Sequence, residues 1–188
     1  MERILLVSGS LRRGSTNTGL LLAARDVMPD GFAGVLYEGM RTLPHFDPDD
    51  DAEPLDPAVA GLRGAIADAR AVVLSTPEYA GGLPGSFKNL LDWTIGGHEI
   101  FGKPVAWWNA STSPTGAASA HASLRTVLGY AGCDVVEEAC ADIPVRRDVV
   151  TDAGVADDDA VRAAARVALT ALVAHLRALD RTVSGPGA

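Results

Sequence analysis

The chain has 188 residues, enough to bury the core of one ordinary domain. Its 16 basic and 24 acidic residues give a net charge of −8 at pH 7. This balance argues against a nucleic-acid or anionic-membrane partner, because both require clustered Lys and Arg. Hydrophobic residues at 47% and charged residues at 21% exclude a disordered chain.

Short apolar runs alternate with longer helical patterns along the chain. The segment 39–57, rich in Pro and Asp, is predicted as a loop whose acidic run 49–51 is solvated, since it lacks the spacing of metal ligands. The last predicted helix has one apolar stripe, expected to pack on a sheet: Val161, Ala165, Ala168, Leu172, Leu176 and Leu179. The predicted strands are 3–8, 34–37, 71–76, 104–109 and 134–138, and the predicted helices are about 17–27, 57–69, 84–95, 117–131 and 158–180.

Strands that alternate with helices indicate βαβ units, and therefore one doubly wound parallel sheet with helices on both faces. The predicted organisation is a single domain over 1–182 followed by a flexible tail over 183–188. In such sheets ligands bind outside the carboxyl ends of the strands. The loops after the first, third and fourth predicted strands are therefore the places where a site is expected.

Two cysteines, Cys133 and Cys140, fit neither a disulfide framework nor a zinc or redox motif, and small buried side chains are the favoured interpretation. The four histidines have no ligand spacing and are expected at the surface or as caps: His45, His98, His121 and His175. No secretory signal and no apolar run of about 20 residues is found, so a cytoplasmic protein without membrane contact is expected.

The first loop, 9–18, has the composition of a phosphate cradle. Gly9 and Gly14 permit tight turns, Arg12 or Arg13 can add a charge-assisted bond, and the start of the next helix offers free N–H groups. A P-loop is disfavoured because Ser15 occupies the Lys position, and the dinucleotide motif GxGxxG is absent. A mononucleotide monophosphate remains, and a simple capped helix is the structural alternative.

Two further loops add to this cradle. The second, 76–85, is stiffened by Pro77 and Pro84, carries Gly81 and Gly82, and offers the aromatic ring of Tyr79, which suits the edge of a planar heterocycle. The third, 109–116, is rich in hydroxyl groups. Three polar loops at one edge of one sheet predict a binding site there.

These residues resemble a known family. The segments GSLRRGSTN, TPEYAGGLPGSFKNLLDW and GKPVAWWNAS are similar, in order and spacing, to the NADPH-dependent FMN reductase family, which includes quinone, azo-dye and chromate reductases. The similarity extends to about residue 142. It implies a flavodoxin-like three-layer α/β/α sandwich with a five-stranded parallel sheet in the order 2-1-3-4-5, which binds FMN and assembles as a homodimer or homotetramer.

The resemblance also assigns roles to residues. The FMN phosphate would be held by Ser10, Arg12, Ser15, Asn17 and Thr18, the isoalloxazine would be lined by Pro77, Glu78, Tyr79 and Ala80, and Ser111 would close the site. Glu78 is expected to contribute its backbone rather than its side chain. Ala80 departs from the family, which usually has Asn there, so a side-chain contact to the flavin is lost.

The implied activity is hydride transfer from NADPH or NADH to FMN and on to a quinone-, azo- or metal-type acceptor in a ping-pong cycle. No catalytic side chain and no metal ligand is assigned. A flavodoxin-type electron carrier is the alternative, which the acidic composition fits, although the loops supply only one aromatic ring. The tryptophans are expected in the core or an interface (Trp93, Trp107, Trp108), and the apolar helix face Phe87, Leu90 and Leu91 suits a dimer surface or the core equally.

Overall fold

The computed structural model of the protein describes residues 1–183. The predicted tail at 183–188 therefore lies outside the described residues, apart from Val183, which ends the last helix. The strands are β1 (Glu2–Ser8), β2 (Phe32–Leu36), β3 (Ala71–Ser75), β4 (Pro104–Asn109), β5 (Asp134–Val135) and β6 (Ala141–Asp142). The helices are α1 (Thr16–Arg25), α2 (Pro57–Ala67), α3 (Gly85–Asp92), α4 (Ala118–Tyr130) and α5 (Asp159–Val183).

All strand pairings in the sheet are parallel, in the order β2-β1-β3-β4-β5, which confirms the predicted topology. Side chains alternate between the two faces of each strand. Ile4 and Leu6 pack with α1 and α5, whereas Leu5 and Val7 pack with α2, α3 and α4. Because both faces are covered, the central strands are apolar nearly throughout.

The fifth predicted strand is broken into β5 and β6, which both pair with β4. A 3₁₀ turn, Glu137–Ala139, separates them, and its Ala139 carbonyl accepts the buried indole N–H of Trp108 at 2.9 Å. In the gap the backbone N–H of Trp107 donates to Cys140 Sγ at 3.5 Å. The indole of Trp108 thus binds the carbonyl of Ala139, a residue that was predicted to follow one continuous strand and instead ends the turn between β5 and β6.

The structure shows which of the apolar side chains predicted from the sequence are buried. The apolar face of α3, formed by Phe87, Leu90 and Leu91, is buried in the core, so it does not form a dimer surface. The stripe of α5 is buried except for Leu179, which is 37% exposed. The cysteines, predicted to be buried, are free thiols that are only partly buried, and this burial raises the pKa of both Cys133 and Cys140 to about 11. Within residues 1–183 no helix is both long and apolar enough to cross a bilayer.

The acidic run 49–51 was predicted to be solvated, and for Asp51 this is wrong. Its carboxylate accepts a hydrogen bond from Arg63 Nη2 at 2.7 Å, and the two side chains are only 12% and 10% exposed. Arg63 also donates to the carbonyl of Trp93 through Nε and Nη2, at 3.1 and 3.0 Å. This ion pair fastens the long loop before α2 to the end of α3.

Candidate functional site

Three loops meet at the carboxyl edge of the sheet because the central strands end in register. Ser8 of β1 pairs with Ser75 of β3, which pairs with Trp108 of β4. The chain that follows each strand forms one side of an open cleft of about 370 Å³, called here the main cleft. Five of the predicted site residues line it: Asn17, Pro77, Glu78, Tyr79 and Ser111.

The start of α1 provides free hydrogen-bond donors. Ser15 is the N-cap, buried and in extended conformation, and its carbonyl accepts the first helical bond from Gly19 at 2.8 Å. The N–H groups of residues 16–18 have no protein acceptor in the part of the chain that the structure describes. Free N–H groups and the positive end of the helix dipole together favour an anion at this position.

Close packing behind this loop explains the glycine at position 9. A Cβ there would lie 2.4 Å from Thr76 Oγ1 and 2.7 Å from Thr76 Cβ, a distance that side chains do not tolerate. The Gly9 N–H also donates to the Ser75 carbonyl at 2.8 Å. Only glycine allows the first loop to pack so closely against the end of β3.

Two predicted phosphate-binding side chains are engaged within the protein. Asn17 Oδ1 accepts a hydrogen bond from the buried hydroxyl of Ser75 at 2.9 Å. The hydroxyl of Thr18 pairs with that of Ser8 at 2.8 Å. Both contacts tie the first turn of α1 to the ends of the strands beneath it. These two side chains therefore position the helix N-terminus, whatever else they bind.

The other predicted phosphate-binding residues lie apart from the main cleft. Ser10, Arg12 and Thr18 line a separate cleft of about 240 Å³ beside β2, together with Arg13 and Arg41; we call it the arginine cleft. The structure thus brings three of the four flavin-ring candidates together in the main cleft, all except Ala80. The phosphate candidates are divided: one lines the main cleft, three line the arginine cleft and Ser15 lines neither.

The second loop folds as a two-residue turn. Tyr79 and Gly82 exchange backbone hydrogen bonds of 3.0 and 3.1 Å, and the two residues between them have positive φ, +49° at Ala80 and +73° at Gly81. Both values are those of a type I′ turn. Ala80 lies at the tip and lines neither cleft, whereas Tyr79 lines the main cleft with 53% of its surface exposed.

The carboxylate of Glu78 is bound to α4. Glu78 Oε2 accepts the backbone N–H of Ala120, the third residue of that helix, at 3.0 Å. The N-cap, Ala117, is in left-handed conformation and has no side chain that could take this role. Glu78 therefore caps α4 from another loop, which favours the interpretation that its backbone, rather than its side chain, faces a ligand.

A buried amide holds the third loop in place. Asn109 is 5% exposed; its Oδ1 accepts the N–H of Ser111 at 3.0 Å, and its Nδ2 donates to Asp142 Oδ1 at 2.9 Å and to the carbonyl of Gly116. Ser111, predicted to close the site, is thereby fixed at the wall of the main cleft. The carboxamide joins the end of β4, the loop and β6.

His121 differs from the expectation of a surface or capping residue, because it is 7% exposed. Its Nδ1 lies 3.1 Å from the carbonyl of Ala117 and must carry a hydrogen there, and its ring packs on Trp107 with centroids 4.8 Å apart. Burial lowers the pKa of His121, opposed by the bond to Ala117 and by the charges of Asp142 and Glu78. It is a neutral part of the packing under α4.

Sequence reasoning missed Arg147. It lies in the 3₁₀ segment Arg147–Val149 after β6, and its exposed side chain lines the main cleft. Among residues 1–183 it has no ion-pair partner. No motif surrounds it in the sequence. Only the short strand β6, which brings this segment back to the site, makes the position meaningful, and that strand was not predicted.

Comparison with known proteins shows which family the chain belongs to. Residues 2–144 match the family model described as NADPH-dependent FMN reductase. The chain belongs to this family. The predicted resemblance is therefore confirmed, and so is the enzyme class, an oxidoreductase with FMN as its cofactor and NAD(P)H as hydride donor. Arg147 lies just beyond the matched residues.

Individual relatives agree with this assignment. An NAD(P)H-dependent FMN reductase of Pseudomonas aeruginosa is 35% identical over 130 residues, 68% of this chain and 70% of the relative. A 2-hydroxy-1,4-benzoquinone reductase from a Burkholderia species is 36% identical over 131 residues, with the same coverage. Among solved structures, the NAD(P)H:(acceptor) oxidoreductase FerB of Paracoccus denitrificans superposes with a TM-score of 0.81 at 26% identity, covering 95% of this chain and 98% of FerB.

The residues at the sheet edge fit FMN. Its phosphate requires donors, which the free N–H groups of residues 16–18 could supply. The close packing of Gly9 on Thr76 shapes the cradle below them. A planar ring requires a flat wall and main-chain donors, and the loop from Pro77 to Tyr79 lines the same cleft.

Proposed function

We propose that this family member reduces quinone-, azo- or metal-type acceptors at the expense of NADPH or NADH in a ping-pong cycle. Bound FMN supplies the hydride and electron transfer. The observation that carries the proposal is the meeting of three loops in one open cleft, with free helix N–H groups, an exposed tyrosine ring and hydroxyl side chains around it.

The residues of this chain bind and orient rather than transfer protons. The N-terminus of α1, with Arg12, Ser15 and Asn17, would hold the phosphate. The loop from Pro77 to Tyr79, together with Ser111, would hold the ring. The carboxylate of Glu78 is bound to α4, so it is not free to act as an acid or base. We therefore assign no catalytic side chain. Because the main cleft is open, donor and acceptor can enter in turn on the same side, as a ping-pong cycle requires.

Two measurements test the proposal. Initial rates at several quinone concentrations should give parallel double-reciprocal lines against NADPH. An anaerobic titration should show that NADPH bleaches the bound flavin and that added quinone restores its colour. Flavin that binds but is not reduced by either nucleotide would contradict the proposal and favour the alternative, an electron carrier of the flavodoxin type. Intersecting lines would contradict the ping-pong order alone.

The binding roles are tested by paired serine variants. Ser15→Ala should weaken FMN binding about 10-fold to 100-fold, the loss of one hydrogen bond to a charged group. Ser119→Ala, at an exposed position in the first turn of α4, should leave FMN affinity unchanged. Equal affinities for both variants in a fluorescence titration would remove Ser15 from the phosphate site.

A further inference from the structure

The arginine cleft is a positive surface on a chain of net charge −8. Arg12 and Arg13 come from the loop after β1, and Arg41 comes from a 3₁₀ turn, Gly39–Thr42, after β2. In the described range 1–183 none of the three has a carboxylate within ion-pair distance, although Glu38 lines the same cleft. Three unpaired guanidinium groups close together favour an anionic ligand.

The cleft is also held in shape. Arg41 Nη2 donates to the carbonyl of Leu11 at 2.6 Å, so the turn after β2 is fastened to the loop after β1. Burial raises the pKa of Tyr37, which also lines the cleft, to about 12, so its hydroxyl stays neutral and able to donate. Ser10 adds a hydroxyl. Guanidinium and hydroxyl donors around one cavity are the groups that bind a phosphate dianion.

The phosphate of FMN does not need all of these groups. The free N–H groups at the start of α1, with Arg12, already match a single phosphate. Arg13 and Arg41 are then left without an assigned ligand. The proposed reaction brings a second phosphate-bearing molecule to the site, the nicotinamide nucleotide. NADPH differs from NADH only by a phosphate on the 2′ position of the adenosine ribose.

The spacing of the two clefts suits that molecule. The arginine cleft lies at the carboxyl ends of β2 and β1, and the main cleft at those of β3 and β4. Neighbouring strands lie about 4.8 Å apart and the two clefts are two strand spacings apart, so they are separated by about 10 Å. A nucleotide with its nicotinamide in the main cleft has two riboses and a pyrophosphate with which to reach across.

We propose that Arg13 and Arg41 bind the 2′-phosphate of NADPH, so that this chain prefers NADPH to NADH. The inference rests on the proposed function, since it assigns the far end of the same hydride donor. It also explains why arginines collect on one side of the phosphate loop of an acidic protein.

The test compares Arg13→Gln and Arg41→Gln with a control, Arg166→Gln, at an exposed position on α5 that has no ion-pair partner among the described residues. In each test variant kcat/KM for NADPH should fall about fivefold or more, while the value for NADH changes less than about twofold. The value for NADPH in the parent protein should also fall more steeply with added salt than that for NADH. Arg166→Gln should change neither.

A binding measurement separates this inference from the activity. Adenosine 2′,5′-bisphosphate should bind the FMN-loaded protein more tightly than adenosine 5′-monophosphate does, and Arg13→Gln should abolish the difference. Equal losses with NADPH and NADH, or weaker FMN binding in both variants with no preference for the bisphosphate, would overturn the proposal and assign the arginines to the flavin. If neither nucleotide reduces the flavin but the bisphosphate binds selectively, the proposed function fails and the phosphate site stands.

Discussion

Ala80 shows how a single residue can oppose the conformation that its neighbours impose. Its φ of +49° is the left-handed region, which costs an L-residue with a Cβ roughly 1 kcal/mol or more. Ala80→Gly should therefore raise the free energy of unfolding by about 0.5–1 kcal/mol, measured by urea denaturation. Ala60→Gly, at an exposed position within α2, should lower it by about the same amount. Loss of stability in both variants would contradict this account of the turn.

This finding also changes the meaning of the departure from the family at position 80. The resemblance implies Asn at this position, and the expected consequence of Ala80 was a lost side-chain contact with the flavin. The structure adds a backbone reason, because Asn tolerates positive φ better than Ala. The φ angle of a residue follows from the turn that surrounds it, which a residue pattern alone does not specify.

His121 should make stability depend on pH. Burial lowers its pKa below the ordinary 6.5, so below about pH 6.5 the unfolded chain binds more protons than the folded chain. This contribution to the free energy of unfolding is complete above pH 6.5 and is lost as the pH falls from there toward the folded pKa. His121→Gln should therefore lose less stability than the parent between pH 7.5 and 5.5 in urea denaturation. His98→Gln, at an exposed position, should behave as the parent does, and equal pH dependence in all three proteins would contradict the assignment.

At the scale of elements, the Glu78 carboxylate joins the second loop to α4. Glu78→Ala would leave the N–H of Ala120 without its partner, so the free energy of unfolding should fall by about 1–2 kcal/mol. FMN should also bind more weakly, because the loop that carries Pro77 and Tyr79 loses its tether. Glu138→Ala, at an exposed carboxylate without a partner in the described part of the chain, should stay within about 0.5 kcal/mol of the parent. Parent-like stability and FMN affinity in Glu78→Ala would rule out the cap.

Elements were predicted best where their signals are local. The strand Pro104–Asn109 has the predicted bounds, and each helix differs from its prediction by three residues or fewer at either end, because periodicity, proline and glycine mark helices and buried strands. The fifth strand was predicted as one piece and is broken, because the indole of Trp108 binds the Ala139 carbonyl across 31 residues. Contacts between distant residues leave no local pattern, and for the same reason Arg147 was not found.

At the scale of the molecule, parallel topology alone brings the three loops together. The register of Ser8, Ser75 and Trp108 fixes where the central strands end, so the edge that carries the site could be predicted from strand order. The division of the phosphate candidates between two clefts could not. It depends on the course of the loop 9–15 and on the bond from Arg41 to Leu11, which no sequence pattern specifies.

The ion pair between Asp51 and Arg63 joins the loop before α2 to that helix, and Arg63 in turn binds the carbonyl of Trp93 after α3, so removal of the ion pair should affect more than one element. Asp51→Asn leaves a buried guanidinium without its counter-charge, so the free energy of unfolding should fall by about 3 kcal/mol. The bonds from Arg63 to the Trp93 carbonyl should then weaken, and the protection of the segment 39–56 from hydrogen exchange should decrease.

Asp50→Asn is the matched control, since Asp50 is adjacent, exposed and without a basic partner in the described chain. It should change stability by no more than about 0.5 kcal/mol. Equal effects of the two substitutions would mean that the acidic run acts through its total charge. A large effect confined to Asp51→Asn would show that one carboxylate of the three stabilises the fold through burial, which is the distinction that the sequence alone does not make.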